Sequence, residues 1–109
     1  MSCGKNTKEY QTVKKSYPDL SDAIASVIEW ASERLLAKDL ITDGQKDAAN
    51  NGFVSAKNRA STVTGLLLSK VEQDTKYFQM LVDVLQQDMD TFGTVLKQMG
   101  VTVDDGEYN

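Results

Sequence analysis

One segment of the chain contains residues of the types that bind calcium. The sequence LLAKDLITDGQKDAANNGF, residues 35–53, includes Asp39, Asp43 and a glycine at the sixth position counted from Asp39. An EF-hand loop that began at Asp39 would also need an oxygen ligand at its third position and a bidentate glutamate at its twelfth. These positions hold Ile41 and Asn50, and neither supplies a carboxylate. We therefore expect no metal here and interpret the segment as a joint between two helices.

Nucleophilic catalysis also lacks the residues that it needs. The chain contains no histidine, so the usual base that would activate the thiol of its one cysteine, Cys3, is missing. The carboxylates occur at spacings typical of solvated helix surfaces rather than of a catalytic pair. We expect the protein not to be an enzyme and to hold no cofactor.

Charge divides the chain into three parts. Residues 1–16 carry four lysines against one glutamate, and residues 101–109 carry three acidic residues and no basic one. We expect a helical domain over residues 17–100, a basic N-terminal extension and an acidic C-terminal tail. The extension can lengthen the first helix, bind an acidic surface or remain a solvated arm, and we favour the arm.

The same composition limits the classes of partner. The chain has a formal net charge of −4 and its body carries an excess of acidic residues, so it repels phosphate backbones. No apolar run approaches the roughly 18–20 residues that cross a bilayer. The one cysteine fits a reducing compartment. We expect a cytoplasmic protein with neither nucleic acid nor membrane as a partner.

Apolar residues recur at three- and four-residue spacing through most of the chain, which predicts an all-α fold. A first stripe runs from Leu20 to Leu35 behind Pro18, which blocks any helix from upstream. One helix over residues 20–38 and two helices with a bend near residues 30–32 both fit this stripe. Aromatic and methionine residues at helical spacing are expected in the core.

Further helices are marked by their caps. Four segments begin with cap residues. These are a capping box at Thr42 with Gln45, a serine at Ser55, and aspartates at Asp74 and at Asp88 or Asp90. Phe53 and Val54 form an apolar link after a short helix, and Gly100 ends the last one. Gly65 inside a helix predicts a close helix contact. Together these segments predict five or six short antiparallel helices.

The order of these parts resembles the death-fold superfamily, and within it the caspase-recruitment domain (CARD). The resemblance is carried by LLAKDLIT at the end of a second helix, DGQKDAANN as the third, AKNRASTVTGLLLSK as the fourth, and KYFQMLVDVLQQ followed by MDTFGTVLKQMG. In the fourth helix Arg59 and Ala60 precede the aliphatic cluster. The segment PDLSDAIASVIEW departs from the pattern, because many family members have a basic first helix. The resemblance covers residues 17–100 and implies a six-helix antiparallel bundle.

The resemblance also implies a set of interface residues. Basic residues on the first and fourth helices of one family member meet acidic residues on the second and third helices of another. Here the acidic candidates are Glu33, Asp43 and Asp47, and the basic candidates are Lys57 and Arg59. A molecule with both faces can bind its own kind head to tail and form an open filament.

The function implied is that of a non-enzymatic adaptor or regulator in apoptotic or innate-immune signalling. Its partners would be other CARD or death-fold proteins, such as a caspase, a nucleotide-binding receptor or an adaptor, or further copies of itself. Activator and decoy inhibitor stay open, as do a complete protein and a module of a longer one. The alternative is a free-standing helical bundle that binds a small molecule or an amphipathic partner helix.

Overall fold

Seven helices form the regular structure between residues 4 and 101, the part of the chain that the computed structural model describes. This part contains no strand, so the predicted all-α fold is confirmed, with one helix more than the predicted six. Cys3 and residues 102–109 of the predicted acidic tail lie outside it. The helices are α1 (Lys8–Lys15), α2 (Tyr17–Ser26), α3 (Ile28–Ala37), α4 (Asp43–Ala49), α5 (Ala56–Gln73), α6 (Lys76–Leu85) and α7 (Met89–Gln98).

Residues 8–15 form a helix, so the prediction of a solvated arm is wrong for this segment. Thr7 caps α1, because its hydroxyl oxygen accepts a hydrogen bond from Tyr10 N at 3.2 Å. Tyr10 and Val13 are three residues apart and share one face of the helix. They are 6% and 0% exposed. Burial of this apolar pair attaches α1 to the bundle, while its lysines stay exposed.

The apolar stripe from Leu20 to Leu35 belongs to two helices, which answers the question that the sequence left open. The break lies at Val27, with φ −137° and ψ 37°, three residues before the expected bend. Its N–H donates to the Ile24 carbonyl at 3.1 Å, an i→i−3 bond that tightens the last turn of α2. The buried members of the stripe are Leu20, Ile24, Ile28, Ala31 and Leu35.

The end of α3 is a Schellman motif. Leu40 N donates to Leu35 O at 2.9 Å, and Asp39 N donates to Leu36 O at 2.9 Å. The motif needs one residue in the left-handed conformation, and Asp39 adopts it with φ 58°. Leu40 and Leu35 are each 1% exposed, so the apolar contact that accompanies the motif lies in the core. Asp39 therefore has a backbone role in this segment.

The start of α4 confirms the predicted capping box. Gln45 N donates to the Thr42 hydroxyl oxygen at 3.1 Å, and Thr42 N donates to Gln45 Oε1 at 2.8 Å. Leu40 and Ile41, between the end of α3 and this cap, are 1% and 2% exposed. The segment that resembled a metal loop is a helix joint held down by two apolar side chains.

The longest helix, α5, is the element against which α1, α2, α4 and α6 pack. Its predicted cap is confirmed, since the Ser55 hydroxyl oxygen accepts from Asn58 N at 3.2 Å. The Tyr17 hydroxyl of α2 donates to the Ser61 carbonyl at 2.6 Å, and a Cβ at Gly65 would lie 3.3 Å from that hydroxyl. The predicted close contact at Gly65 is therefore confirmed, and Tyr17 makes it.

The last helix begins at an aspartate, as predicted, because Asp88 is the N-cap of α7 and its carboxylate accepts from Thr91 N at 3.3 Å. The predicted cap of α6 is wrong by one residue, since Thr75 is the N-cap and Asp74 ends α5, although Asp74 Oδ1 accepts from Lys76 N at 3.0 Å. Gly100 follows α7 in the left-handed conformation, with φ 78°. Phe92 is fully buried, and the partly buried Trp30 stacks on it with ring centroids 6.2 Å apart. These helices close the core over α2 and α5.

Asp39→Gly should raise the free energy of unfolding by about 0.5–1 kcal/mol, because glycine adopts positive φ without the steric cost that an L side chain has there. Asp43→Gly, in the first turn of α4, is the matched control and should lower it by about 1 kcal/mol. Urea unfolding of the three proteins measures both changes. Destabilisation by Asp39→Gly would contradict the left-handed assignment.

Candidate protein-interaction surface

The three acidic candidates lie on two neighbouring helices. Glu33 is on α3, and Asp43 and Asp47 are one turn apart on α4, so their side chains share an exposed face. α3 packs against α4, which brings the two helices side by side. Within residues 4–101 the one ion pair is Arg34–Glu33 at 3.9 Å, between exposed side chains. The structure therefore places the acidic candidates on two helices that pack together, and all three side chains are exposed.

The two basic candidates are not brought together. Lys57 and Arg59 are two residues apart on α5, and residues at that spacing point to different sides of a helix. Lys57 is exposed and borders a depression formed with Tyr17 and Pro18 of α2. Arg59 is half-buried on the side of α5 that faces α4. The expected basic patch of the fourth helix is therefore Lys57 alone.

Arg59 joins α4, the following loop and α5 by hydrogen bonds to two carbonyl groups. Its Nη1 donates to Ala49 O at 2.7 Å, and its Nε donates to Val54 O at 2.8 Å. Ala49 is the last residue of α4, where the helix dipole is negative and a cation is stabilised. Charge-assisted hydrogen bonds of this kind are roughly twice as strong as neutral ones. We call this arrangement the Arg59 clamp.

The loop between α4 and α5, residues 50–55, is fixed by its own polar side chains. Asn50 Nδ2 donates to the Ser32 hydroxyl at 3.0 Å, which attaches the loop to α3. Asn51 Oδ1 accepts from Phe53 N at 2.9 Å, an Asx turn. With both ends held, Phe53 is 102% exposed and Val54 is 39% exposed. The apolar link predicted from the sequence therefore points to solvent.

The sequence predicted that residues 1–16 are basic, but the favoured solvated arm left out that α1 presents these lysines from a helix packed on the bundle. Lys8, Lys14 and Lys15 are exposed on this helix, which packs against α2 and α5. Gly4 N donates to Glu72 O at 2.7 Å, so the N-terminal side of α1 lies beside the end of α5. α4 meets the first turns of α5 at Arg59, which lies about 20 Å along α5 from Glu72 at 1.5 Å per residue. Lys14 and Lys15 are at the opposite end of α1, which leads into α2. The sequence feature that indicates this packed helix is the apolar pair Tyr10 and Val13, because a three-residue spacing is typical of one buried helical face.

Comparison of the chain with protein-family models, with curated proteins and with solved structures finds no match. Over residues 4–101, no group of three or more acidic, cysteine or histidine side chains is placed to hold a metal ion. Nor is any helix of that range both long and apolar enough to cross a membrane.

Arg59→Ala should lower the free energy of unfolding by about 2 kcal/mol, because two carbonyl groups lose a charged donor. Arg59→Lys keeps the charge, but a single ammonium group cannot bind both carbonyls as the planar guanidinium does. This variant should lose about half as much unfolding free energy as Arg59→Ala. Lys57→Ala, an exposed neighbour on the same helix, should change it by less than about 0.5 kcal/mol. Chemical denaturation measures all three, and equal effects of Arg59→Ala and Lys57→Ala would contradict the clamp.

Proposed function

We propose that this protein is a non-enzymatic homotypic interaction module of the CARD-like type, an adaptor or regulator in apoptotic or innate-immune signalling. It acts by docking other CARD or death-fold proteins, or its own copies, through faces of opposite charge. The observation that supports the proposal is that exposed lysines lie on α1 and exposed carboxylates lie on α3 and α4. α1 packs against α2 and α5, whereas α4 packs against α3 and α5.

The helix order supports the six-helix plan when α1 and α2 count as one broken helix. Only Ser16 separates them. Its N–H donates to Thr12 O at 3.2 Å and its carbonyl accepts from Leu20 N at 2.8 Å, so Ser16 itself keeps both i→i−4 hydrogen bonds, whereas Pro18 has no N–H to donate. On this count α3 is the second helix, α4 the third and α5 the fourth. Acidic candidates then fall on the second and third helices, as in the family.

The composite first helix also accounts for the departure noted in the sequence. The acidic segment PDLSDAIASVIEW covers α2 and the start of α3, whereas the basic residues of the first helix are those of α1. Lys14 and Lys15 directly precede the turn into α2, and Lys57 lies across from that turn on α5. Asp22 borders the same depression as Lys57 and reduces the positive charge there. In this proposal Arg59 supports the surface and does not supply its charge.

Contacts between different faces do not close on themselves, so they extend into a helical filament unless the rotation between copies closes a ring. Complementary charge controls the association rate and the choice of partner more than affinity. Such contacts weaken as salt rises, since the Debye length falls from about 10 Å at 0.1 M to about 3 Å at 1 M.

The doubly reversed variants Lys14→Glu/Lys57→Glu and Asp43→Lys/Asp47→Lys test the proposal. We expect wild-type protein at low salt to form assemblies larger than a dimer in light scattering, and each variant alone to lose them. A mixture of the two should associate again, because each supplies the face that the other lacks. Lys97→Glu on α7 and Asp83→Lys on α6, both exposed, are the matched controls and should assemble as the wild type does.

The contrary outcome is wild-type protein that stays monomeric at low salt and binds no CARD or death-fold protein. Assemblies that persist in both reversed variants would also contradict the proposal.

A groove between α1, α6 and the end of α7 favours the alternative function, a bundle that binds a small molecule or an amphipathic helix. Its volume is about 420 Å³, within the range of ligand sites, and its lining combines apolar Phe78 and Met99 with polar residues such as Lys8 and Glu9. A ligand that raises the melting temperature of wild type but not of Gln86→Trp, a change at an exposed residue of the lining, would support this function in place of the first.

A further inference from the structure

A fully exposed aromatic side chain lies in the loop between α4 and α5. Phe53 is 102% exposed, although phenylalanine is among the residues most often buried. The chain on both sides of it is fixed, because Asn51 Oδ1 holds the Phe53 N–H and Arg59 Nε holds the Val54 carbonyl. The fold therefore presents this ring to solvent on a loop whose backbone is held in place.

A small pocket lies beside this loop. Its volume is about 170 Å³, and its lining is mainly small and apolar, with Ala48, Val54 and Val63 among the residues. An apolar cavity of about 150 Å³ is large enough to bind benzene. The pocket is thus the size of a phenyl ring, and the ring of Phe53 does not line it. A ring that projects outward and an empty pocket of matching size lie side by side.

We propose that this surface joins two copies of the chain, with Phe53 of each copy seated in the pocket of the other. A two-fold contact requires that one surface carry both complementary parts, and this surface does. Its charges also suit a second copy. Asp47, next to the pocket residue Ala48, is negative and Arg59 is positive, so the patch carries no excess of one sign. The chain as a whole, at −4, would repel itself elsewhere.

The area of this contact makes the dimer weak. A phenylalanine side chain buries about 150–250 Å², so two rings and two pockets together bury roughly 600–1,000 Å². Stable specific interfaces begin at about 1,200 Å². The dimer is therefore transient and forms as the protein concentration rises. It differs from the charged head-to-tail contact in depending on apolar burial, although Asp47 borders both surfaces.

Sedimentation equilibrium in 1 M NaCl tests the proposal, because a Debye length of about 3 Å suppresses charged contacts and leaves the apolar one. Failure of the charged assembly and failure of this dimer are thus separate results. We expect a monomer–dimer equilibrium whose Kd rises at least roughly tenfold in Phe53→Ser and in Ala48→Leu, which fills the pocket. Ala37→Leu, the same change at an exposed alanine outside the patch, should leave Kd unchanged.

Two further measurements distinguish loss of the dimer contact from misfolding of a variant. The far-ultraviolet circular dichroism and melting temperature of dilute Phe53→Ser should equal those of the wild type, because the ring is exposed in the monomer. In a mixed-label NMR sample, the Phe53 ring should show intermolecular NOEs to the methyl groups of Val63. A wild type that is monomeric to millimolar concentration, a dimer that survives both substitutions, or ring NOEs confined to one chain would overturn the proposal.

Discussion

Two backbone carbonyls at the junction of α4 and α5 share one guanidinium, and the proposed interaction surface depends on that clamp. Arg59, near the start of α5, binds the carbonyl of Ala49, the last residue of α4, and the carbonyl of Val54 in the loop between the two helices. Because α4 has seven residues, it is too short to be stable by itself and needs such attachments. The clamp fixes where α4 presents Asp43 and Asp47, and it fixes the loop that holds Phe53 in solvent.

The bundle beneath this surface is organised by α5, which contacts helices from both ends of the chain. Tyr17 and Gly65 set the closest approach on the α2 side, and Tyr10 and Val13 attach α1. This arrangement keeps basic α1 and acidic α4 on different parts of one rigid support. A molecule built in this way can present unlike charges to two neighbours at once, which is the geometric requirement for head-to-tail docking.

Local features could be predicted from the sequence because their causes lie within a few residues. The Thr42–Gln45 capping box, the Ser55 cap and the left-handed Gly100 are of this kind, and so is the buried stripe from Leu20 to Leu35. The break at Val27 could not be predicted, since no proline or glycine marks it. The packed helix α1 was not predicted, because the lysines of residues 1–16 indicated a solvated arm. The apolar pair Tyr10 and Val13 was the one sign of a buried face.

The candidate site was harder to predict, because a charge in a sequence does not reveal what it contacts. Lys57 and Arg59 are both basic residues of one helix, yet Arg59 binds a carbonyl of α4, ten residues away in the chain, and Lys57 is exposed. The sequence predicts that Phe53 is part of an apolar link. The structure is needed to show that hydrogen bonds fix the backbone on both sides of Phe53 while its ring is exposed to solvent. Such roles depend on tertiary packing, which spacing rules do not contain.

Exchange of the Arg59 side-chain Nε–H with solvent, followed by NMR, tests the clamp most directly. Arg34 in the same molecule is the internal reference, because its guanidinium lies over the Trp30 ring at 4.7 Å and in a surface ion pair. The clamp predicts that the Arg59 Nε–H exchanges at least roughly tenfold more slowly than that of Arg34, since its hydrogen bond must open first. Equal exchange rates for the two side chains would contradict it.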